Sequence, residues 1–182
     1  MTVLAGTNGA GKSTITKRMV NEIGEIIDLD RMVREQQSDY FTVGKQVIEL
    51  VDNYIESGTS FSIETTLSSK IIFKQIERAK SYDFEIYSFY VGLLDVDLHL
   101  LRVQERVRRG GHFISEEDIR RRFERSIRNL PKLIQLSDFT SVIDNTISPK
   151  QLLSFEANRL VFQNKTLPNW VSENLRDFFM EN

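Results

Sequence analysis

The sequence contains no cysteine, which excludes disulfide bonds, thiolate nucleophiles and zinc sites with cysteine ligands. It also lacks an apolar run of membrane-spanning length, and it shows no secretory signal pattern. The formal net charge is only −2 at pH 7, so the chain as a whole is not attracted to nucleic acids or to anionic membranes. We expect a soluble cytoplasmic protein that binds no membrane and is not specialised for nucleic acid.

The composition is that of an ordinary folded domain. Hydrophobic residues make up 40% and charged residues 27% of the 182 residues. A chain of this length buries a sizeable core, and no internal repeat or long linker divides it. We therefore predict a single domain over residues 1–182.

A glycine-rich motif follows the first apolar run of the chain. Residues 6–13 fit G-x-x-x-x-G-K-S, the loop in which backbone N–H groups bind nucleotide phosphates at the positive end of a helix dipole. Lys12 would reach the β- and γ-phosphates, and the Ser13 hydroxyl would bind Mg²⁺. A plain glycine-rich turn is the alternative. The predicted nucleotide-binding residues are Gly6, Thr7, Asn8, Gly9, Ala10, Gly11, Lys12, Ser13 and Thr14.

Strand-like apolar runs alternate with segments of helical periodicity. Helices are predicted between the strands, beginning with residues 12–23, and a terminal helix is predicted over residues 169–182. This alternation predicts an α/β fold, a P-loop NTPase three-layer sandwich with a parallel five-stranded sheet and helices on both faces. The five strands are predicted at residues 2–5, 25–29, 60–64, 84–93 and 139–145.

Acidic residues follow two of the predicted strands. Asp28 and Asp30 lie two residues apart at the end of the second strand, so a strand would present both carboxylates on one face. One of the two carboxylates would hold a magnesium-bound water and the other would accept the proton of an attacking hydroxyl; with Asp30 as the base, Asp28 is the magnesium residue. The alternative is that Asp30 caps a helix that starts at Arg31. Glu64 ends the third strand, either as a magnesium-linked acid or as a solvated strand-end acid.

The segment from Arg102 to Arg128 is dense in arginine and contains no lysine. Two helices joined at Gly110 and Gly111 would form an arginine-rich lid, at about residues 102–130, that closes on a transferring phosphoryl group. A solvated face of arginines paired with neighbouring glutamates is the alternative. His112 would either touch a phosphate or cap the turn.

Taken together, several segments resemble the zeta-toxin family of P-loop kinases. They are AGTNGAGKST, IIDLD, FSIETTLSS, YVGL, RVQERVRRGGHFISEEDIRRRFERSIRNL and VIDN, which together span residues 5–145. The resemblance implies a sheet with helices on both faces and ATP-dependent, Mg²⁺-dependent phosphorylation of a hydroxyl. It points to a small-molecule acceptor such as UDP-N-acetylglucosamine.

The resemblance also implies roles for individual residues. Asp30 matches the general base, and Glu64 and Thr66 match polar positions on the substrate side. Arg106 matches a lid arginine, whereas His112 stands at or near the position of a second lid arginine. Lys12 and Ser13 match the phosphate-loop pair.

Two further interpretations stay open at this point. One is a nucleotide-hydrolysing switch or an ABC-like ATPase without a small-molecule acceptor, although the LSSK sequence at residues 67–70 is not an LSGGQ-type signature. The other, compatible with a kinase, is a protein that an antitoxin partner holds inactive.

Overall fold

In the computed structural model, which describes residues 1–19 and 24–176, seven strands form one mixed sheet in the order β2-β3-β1-β4-β5-β6-β7. The first five strands are parallel, and β6 and β7 are antiparallel to their neighbours. The strands are β1 Thr2–Ala5, β2 Glu25–Asp28, β3 Phe61–Thr65, β4 Tyr87–Gly92, β5 Phe139–Asp144, β6 Lys150–Glu156 and β7 Arg159–Gln163.

The prediction of five parallel strands is confirmed at each position, but the sheet as a whole is mixed and larger. The prediction missed the hairpin of β6 and β7. Ala157 and Asn158 join its strands with φ angles of 45° and 68°, the conformation of a two-residue hairpin turn. Asn favours such a turn, but the Ala before it gives no turn signal, and β7 is mostly exposed and lacks a clear apolar alternation.

The helices are α1 Lys12–Met19, α2 Leu29–Gln36, α3 Tyr40–Glu56, α4 Ile71–Lys80, α5 Val96–Arg108, α6 Glu116–Leu136 and α7 Asn169–Ser172. The first predicted helix is confirmed from Lys12 to Met19, and its remainder, residues 20–23, lies outside the described residues. Of the predicted terminal helix, α7 covers residues 169–172 and the chain leaves the helix at residues 173–175, whereas residues 177–182 lie outside the described part. Within the described ranges, no helix is long and apolar enough to cross a membrane.

The sheet is covered on both faces, as predicted. Tyr90 and Val142 belong to the main core, which includes buried side chains of α3, α4 and α6. Val91 and Ile143, one position further along the same strands, pack instead with Ile15 of α1. Since neighbouring strand residues point to opposite faces, α1 lies on one side of the sheet and α3, α4 and α6 on the other.

The arginine-rich segment is anchored by α6. The Ser115 side chain accepts a hydrogen bond from Asp118 N at 3.1 Å and caps the helix. The first half of α6 packs on α5 through Ile119, which forms a small separate cluster with Leu100 and Val103. The second half, including Leu130, enters the main core. One helix therefore connects the arginines rigidly to the sheet.

We predict that Leu130→Ala destabilises the protein by about 2–5 kcal/mol, because the side chain is 0% exposed and its loss leaves a cavity under α6. Leu101→Ala is the matched control, since Leu101 is 58% exposed and its truncation should change stability by at most about 0.5 kcal/mol. Urea unfolding followed by circular dichroism measures both free energies. Equal losses in the two variants would contradict the anchoring role of α6.

Candidate active site

The glycine-rich loop forms a tight backbone cradle after β1. Gly6, Gly9 and Gly11 have φ angles of 140°, 83° and 89°, which residues with a side chain rarely adopt. A Cβ atom at Gly6 would collide with the Val91 carbonyl oxygen, and one at Gly11 would collide with the Asn145 amide. The glycines are therefore required by the fold of the loop itself.

Hydrogen bonds from three directions hold this loop in place. Lys12 Nζ donates to Gly6 O at 2.6 Å, and Asn145 Nδ2 donates to Ala10 O at 2.8 Å. His99 Nδ1 lies 2.8 Å from Asn8 O, and burial lowers the pKa of His99 to about 4. A neutral His99 that carries its proton on Nδ1 therefore donates to the loop at physiological pH.

The loop has the features of a phosphate site. It runs into the N-terminus of α1, where Ser13 and Thr14 are exposed. The backbone oxygen of Thr7 accepts a hydrogen bond from Ala10 N at 3.1 Å. The hydroxyl oxygen of Thr7 is buried and has no hydrogen-bond partner within residues 1–19 and 24–176. The cradle at the N-terminus of a helix fits the phosphate groups of a nucleoside triphosphate.

Two carboxylates lie beside the phosphate loop at the carboxyl ends of neighbouring strands. Asp28 of β2 and Glu64 of β3 are paired in register. Glu64 Oε1 lies 3.5 Å from Lys12 Nζ, and both side chains are largely buried. Burial raises the pKa of Glu64, the Lys12 ammonium opposes that rise, and the Asp28 carboxylate adds to it.

The positions of Asp28 and Asp30 correct the sequence-based prediction. β2 ends at Asp28, and Asp28 Oδ1 accepts a hydrogen bond from Arg31 N at 3.2 Å, so Asp28 caps α2. Asp30 lies in the first turn of this helix, not on the strand, and the alternative that Asp30 is the cap is wrong. Asp30 instead accepts hydrogen bonds from Asn8 Nδ2 at 3.0 Å and from Tyr40 at 3.1 Å.

Tyr40 is a site residue that the sequence did not reveal. Its hydroxyl also lies 3.2 Å from His112 Nε2, so one phenol connects α2 with the turn between α5 and α6. Burial, together with the nearby Asp30, raises the pKa of Tyr40 to about 12. The protonated phenol therefore donates to Asp30. Tyr40 follows the cap residue Asp39 at the start of α3, and nothing in its local sequence distinguishes it.

A polar cavity of about 780 Å³ lies over these groups and is bounded by α6. Arg122 Nη1 donates to Asn8 Oδ1 at 2.9 Å, and Arg121 pairs with Asp118. Thr66 Oγ1 lies 2.8 Å from Ser68 Oγ on the opposite side. The ionisable residues that line the cavity are Lys12, Asp28, Asp30, Tyr40, Glu64, Lys70, Arg121, Arg122, Arg125 and Arg128.

Arg106 and His112 are not among the residues that line this cavity. Arg106 Nη2 donates to His112 O at 3.2 Å across the Gly-Gly turn. Arg102, on the same helix, donates to the carbonyl oxygens of Asn145 and Thr146 at 2.9 and 2.8 Å. The structure thus brings Lys12, Asp28, Asp30, Glu64 and Thr66 together and leaves the two predicted lid residues outside the cavity lining.

A magnesium ion would have few protein ligands here. Among the described residues there is no cluster of three or more acidic, histidine or cysteine side chains with metal-site geometry. This fits Mg²⁺, which is usually held by one or two protein oxygens together with phosphate oxygens and water. Ser13, exposed at the start of α1, and the second oxygen of Asp28 are side-chain oxygens that could take that role.

Three solved structures share the fold. A chain of the crystal structure of AvrRxo1-ORF1:-ORF2 with ATP matches with a TM-score of 0.68 and 14% identity. The match covers 90% of this chain, which spans 60% of that chain's length. A chain of the PezAT chromosomal toxin-antitoxin system of Streptococcus pneumoniae matches with a TM-score of 0.60 and 18% identity, over 100% of this chain and 79% of that one.

The third structure is a candidate kinase from Chloroflexus aurantiacus, with a TM-score of 0.53 and 14% identity over 69% of this chain and 78% of that one. No protein-family model matches the sequence. An uncharacterized protein of Haemophilus influenzae is 31% identical over 123 residues, which are 65% of this chain and 88% of that protein. The chain belongs to the same family as this Haemophilus influenzae protein, and its fold is that of the zeta-toxin-like P-loop kinases.

Proposed function

We propose that the protein is an ATP-dependent kinase that transfers the γ-phosphoryl group to a hydroxyl of a small molecule. The observation that carries this proposal is the composition of a single cavity. Lys12, the carboxylates of Asp30 and Glu64, and the arginines of α6 line the same space beside the phosphate loop. Cations stabilise the charge of a transferring phosphoryl group, and a carboxylate accepts the proton of the attacking hydroxyl.

Each group has a defined part in this proposal. Lys12 turns from Gly6 O and Glu64 towards the phosphates, and its ammonium offsets their charge. Asp30 takes the proton of the acceptor hydroxyl, whose oxygen forms the new bond to the γ-phosphorus as the bond between that phosphorus and ADP breaks and ADP leaves. Magnesium-bound ATP supplies the electrophilic phosphoryl group when it is present. Tyr40 and Asn8 fix the direction of the Asp30 carboxylate, since each donates a hydrogen bond to one of its oxygens.

The similar structures support the same proposal. AvrRxo1-ORF1:-ORF2 was solved with ATP, and PezAT is a toxin-antitoxin system. We propose ATP and Mg²⁺ as the cofactors and an antitoxin-like protein as a partner. The resemblance to zeta toxins makes a nucleotide-activated amino sugar such as UDP-N-acetylglucosamine a first acceptor to test.

Lys12→Ala should abolish productive binding of MgATP, because the buried ammonium is the phosphate-loop cation. Lys70→Ala is the matched control: this lysine lines the same cavity but is exposed, and its variant should bind as the wild type does. Calorimetric titration with MgATP measures both. Wild-type affinity in Lys12→Ala would exclude a phosphate-binding role for Lys12.

Asp30→Asn should keep MgATP affinity but slow phosphoryl transfer about 10²-fold or more, the usual scale for the loss of a general base. The rate is followed as label passing from γ-labelled ATP to a size-filtered extract of cellular metabolites. Asp97→Asn is the control, since Asp97 is an exposed acid that pairs with Arg120 away from the cavity. Undiminished transfer by Asp30→Asn would move the base to another group, with Glu64 as the first alternative.

Arg106→Ala should lower turnover more than it weakens MgATP binding, because a lid arginine acts mainly on charge that develops during transfer. Arg106→Lys should restore little activity, since lysine lacks the planar fork of the guanidinium. Arg109→Ala is the control on the same helix end, where the side chain is exposed and pairs with Glu105. Full activity in Arg106→Lys would show that charge alone suffices at this position.

A further inference from the structure

The hydroxyl of Tyr40 lies where the proposed reaction requires an acceptor hydroxyl. Tyr40 donates a hydrogen bond to Asp30 Oδ1 at 3.1 Å, and Asp30 is the proposed general base. The other oxygen of this carboxylate accepts from Asn8 Nδ2 of the phosphate loop at 3.0 Å. One carboxylate therefore separates the phenol from the loop that would hold ATP. Tyr40 also lines the same polar cavity as Lys12.

The other hydroxyl groups that line this cavity are bonded elsewhere. Thr66 Oγ1 and Ser68 Oγ lie 2.8 Å apart and bond to each other. The hydroxyls of Thr65 and Ser69 each accept a hydrogen bond from the backbone N–H group two positions further along the chain. Among the cavity hydroxyls of residues 1–19 and 24–176, the phenol of Tyr40 alone donates to a carboxylate. A general base must lie within hydrogen-bond reach of the proton that it removes, so this contact selects Tyr40.

Cationic side chains lie near the phenol, where they would stabilise a phosphoryl group. Burial raises the pKa of Tyr40 and Asp30 adds to that rise, whereas the guanidinium groups of Arg122 and Arg106 oppose it. Both arginines are therefore near enough to act on negative charge at the phenol oxygen. Tyr40 is 38% exposed, which leaves space beside the ring for a phosphoryl group.

We propose that Tyr40 is a phosphorylation site of the protein itself, modified within one molecule by its own kinase activity. This inference rests on the proposed function, because it uses the same ATP and the same base. The phenol oxygen forms a bond to the γ-phosphorus, the bond between that phosphorus and ADP breaks, and ADP leaves with the bonding electrons. The phenol proton passes to Asp30.

The modification would act on the site that produces it. A phosphotyrosine carries about −1.5 to −2 charges at pH 7, and this charge would lie beside the Asp30 carboxylate. Asp30 would also lose the hydrogen bond that Tyr40 donates to it. Phosphorylation of Tyr40 therefore deprives the base of a partner and occupies the acceptor side of the cavity.

The test begins with purified wild-type protein that has been treated with an immobilised phosphatase, which is then removed. The protein is incubated with γ-labelled ATP and Mg²⁺ without any added acceptor, and the label on the protein is located by mass spectrometry. Trypsin releases residues 35–45 as one peptide, in which Tyr40 is the only tyrosine. We expect the phosphoryl group on Tyr40, and fragmentation of the peptide distinguishes it from Ser38 and Thr42.

Three variants separate an acceptor hydroxyl from one that only orients the base. Tyr40→Phe should lose the label, and Asp30→Asn should slow labelling about 10²-fold or more. Tyr82→Phe is the matched control, since Tyr82 is 47% exposed and packs on Arg78 instead of lining the cavity. Tyr82→Phe should be labelled as fast as the wild type.

A mixing experiment tests whether the transfer stays within one molecule. Wild-type protein that carries a large affinity tag is incubated with untagged Lys12→Ala, the variant expected not to bind MgATP productively. Only the tagged wild type should become labelled, because each phenol lies beside the phosphate loop of its own chain. Label on Tyr40 of Lys12→Ala would overturn transfer within one molecule.

Absence of label from the wild-type protein, label at another residue, or full labelling of Tyr40→Phe would overturn the proposal. Parallel reactions with a size-filtered extract of cellular metabolites report separately on the proposed function. Labelled metabolites without label on Tyr40 would contradict this inference alone. Label on Tyr40 without labelled metabolites would support it and contradict the small-molecule acceptor.

Discussion

The side-chain amide of Asn8 joins the phosphate loop to the rest of the candidate site. Its Nδ2 donates to Asp30 on α2, and its Oδ1 accepts from Arg122 on α6. The backbone oxygen of the same residue accepts from His99 on α5. A carboxylate only accepts and a guanidinium only donates, so these partners fix the orientation of the amide. One loop residue thereby sets the distance between the base candidate and the arginine helix.

This linkage organises the charges of the cavity before any ligand binds. Asp28, Asp30 and Glu64 line the cavity near the carboxyl ends of β2 and β3. Helix α6 contributes arginines to the same cavity. The pKa of Glu64 is raised by burial, and the ammonium of Lys12 opposes that rise. Oriented charges in a partly buried site need little rearrangement during a reaction, which is the condition for electrostatic catalysis. The rigid anchoring of α6 in the core preserves this arrangement.

The sequence predicted the parts of the fold that local patterns determine. The five parallel strands and the glycine-rich loop between β1 and α1 depend on neighbouring residues, and their signals are strong. The β6–β7 hairpin was missed because Ala157 adopts a turn conformation without turn chemistry. Asp30 was placed on a strand because a two-residue spacing does not reveal that the helix begins at Leu29.

The contacts within the site depend on tertiary structure, so they could not be predicted from local sequence patterns. Tyr40 reaches Asp30 and His112, which are separated from it by 10 and 72 positions in the chain. Glycine and lysine spacing identifies where phosphate would bind, whereas the rest of the cavity is lined by residues from five separate elements, β2, α2, β3, α3 and α6.

The most direct test of the kinase proposal is transfer of label from γ-labelled ATP to defined acceptors. The panel comprises nucleotide sugars, free sugars and short oligonucleotides, with the purified wild-type protein and Mg²⁺. We predict label on a hydroxyl of at least one nucleotide sugar or free sugar. Label that appears only as free phosphate, or only on oligonucleotides, would contradict it.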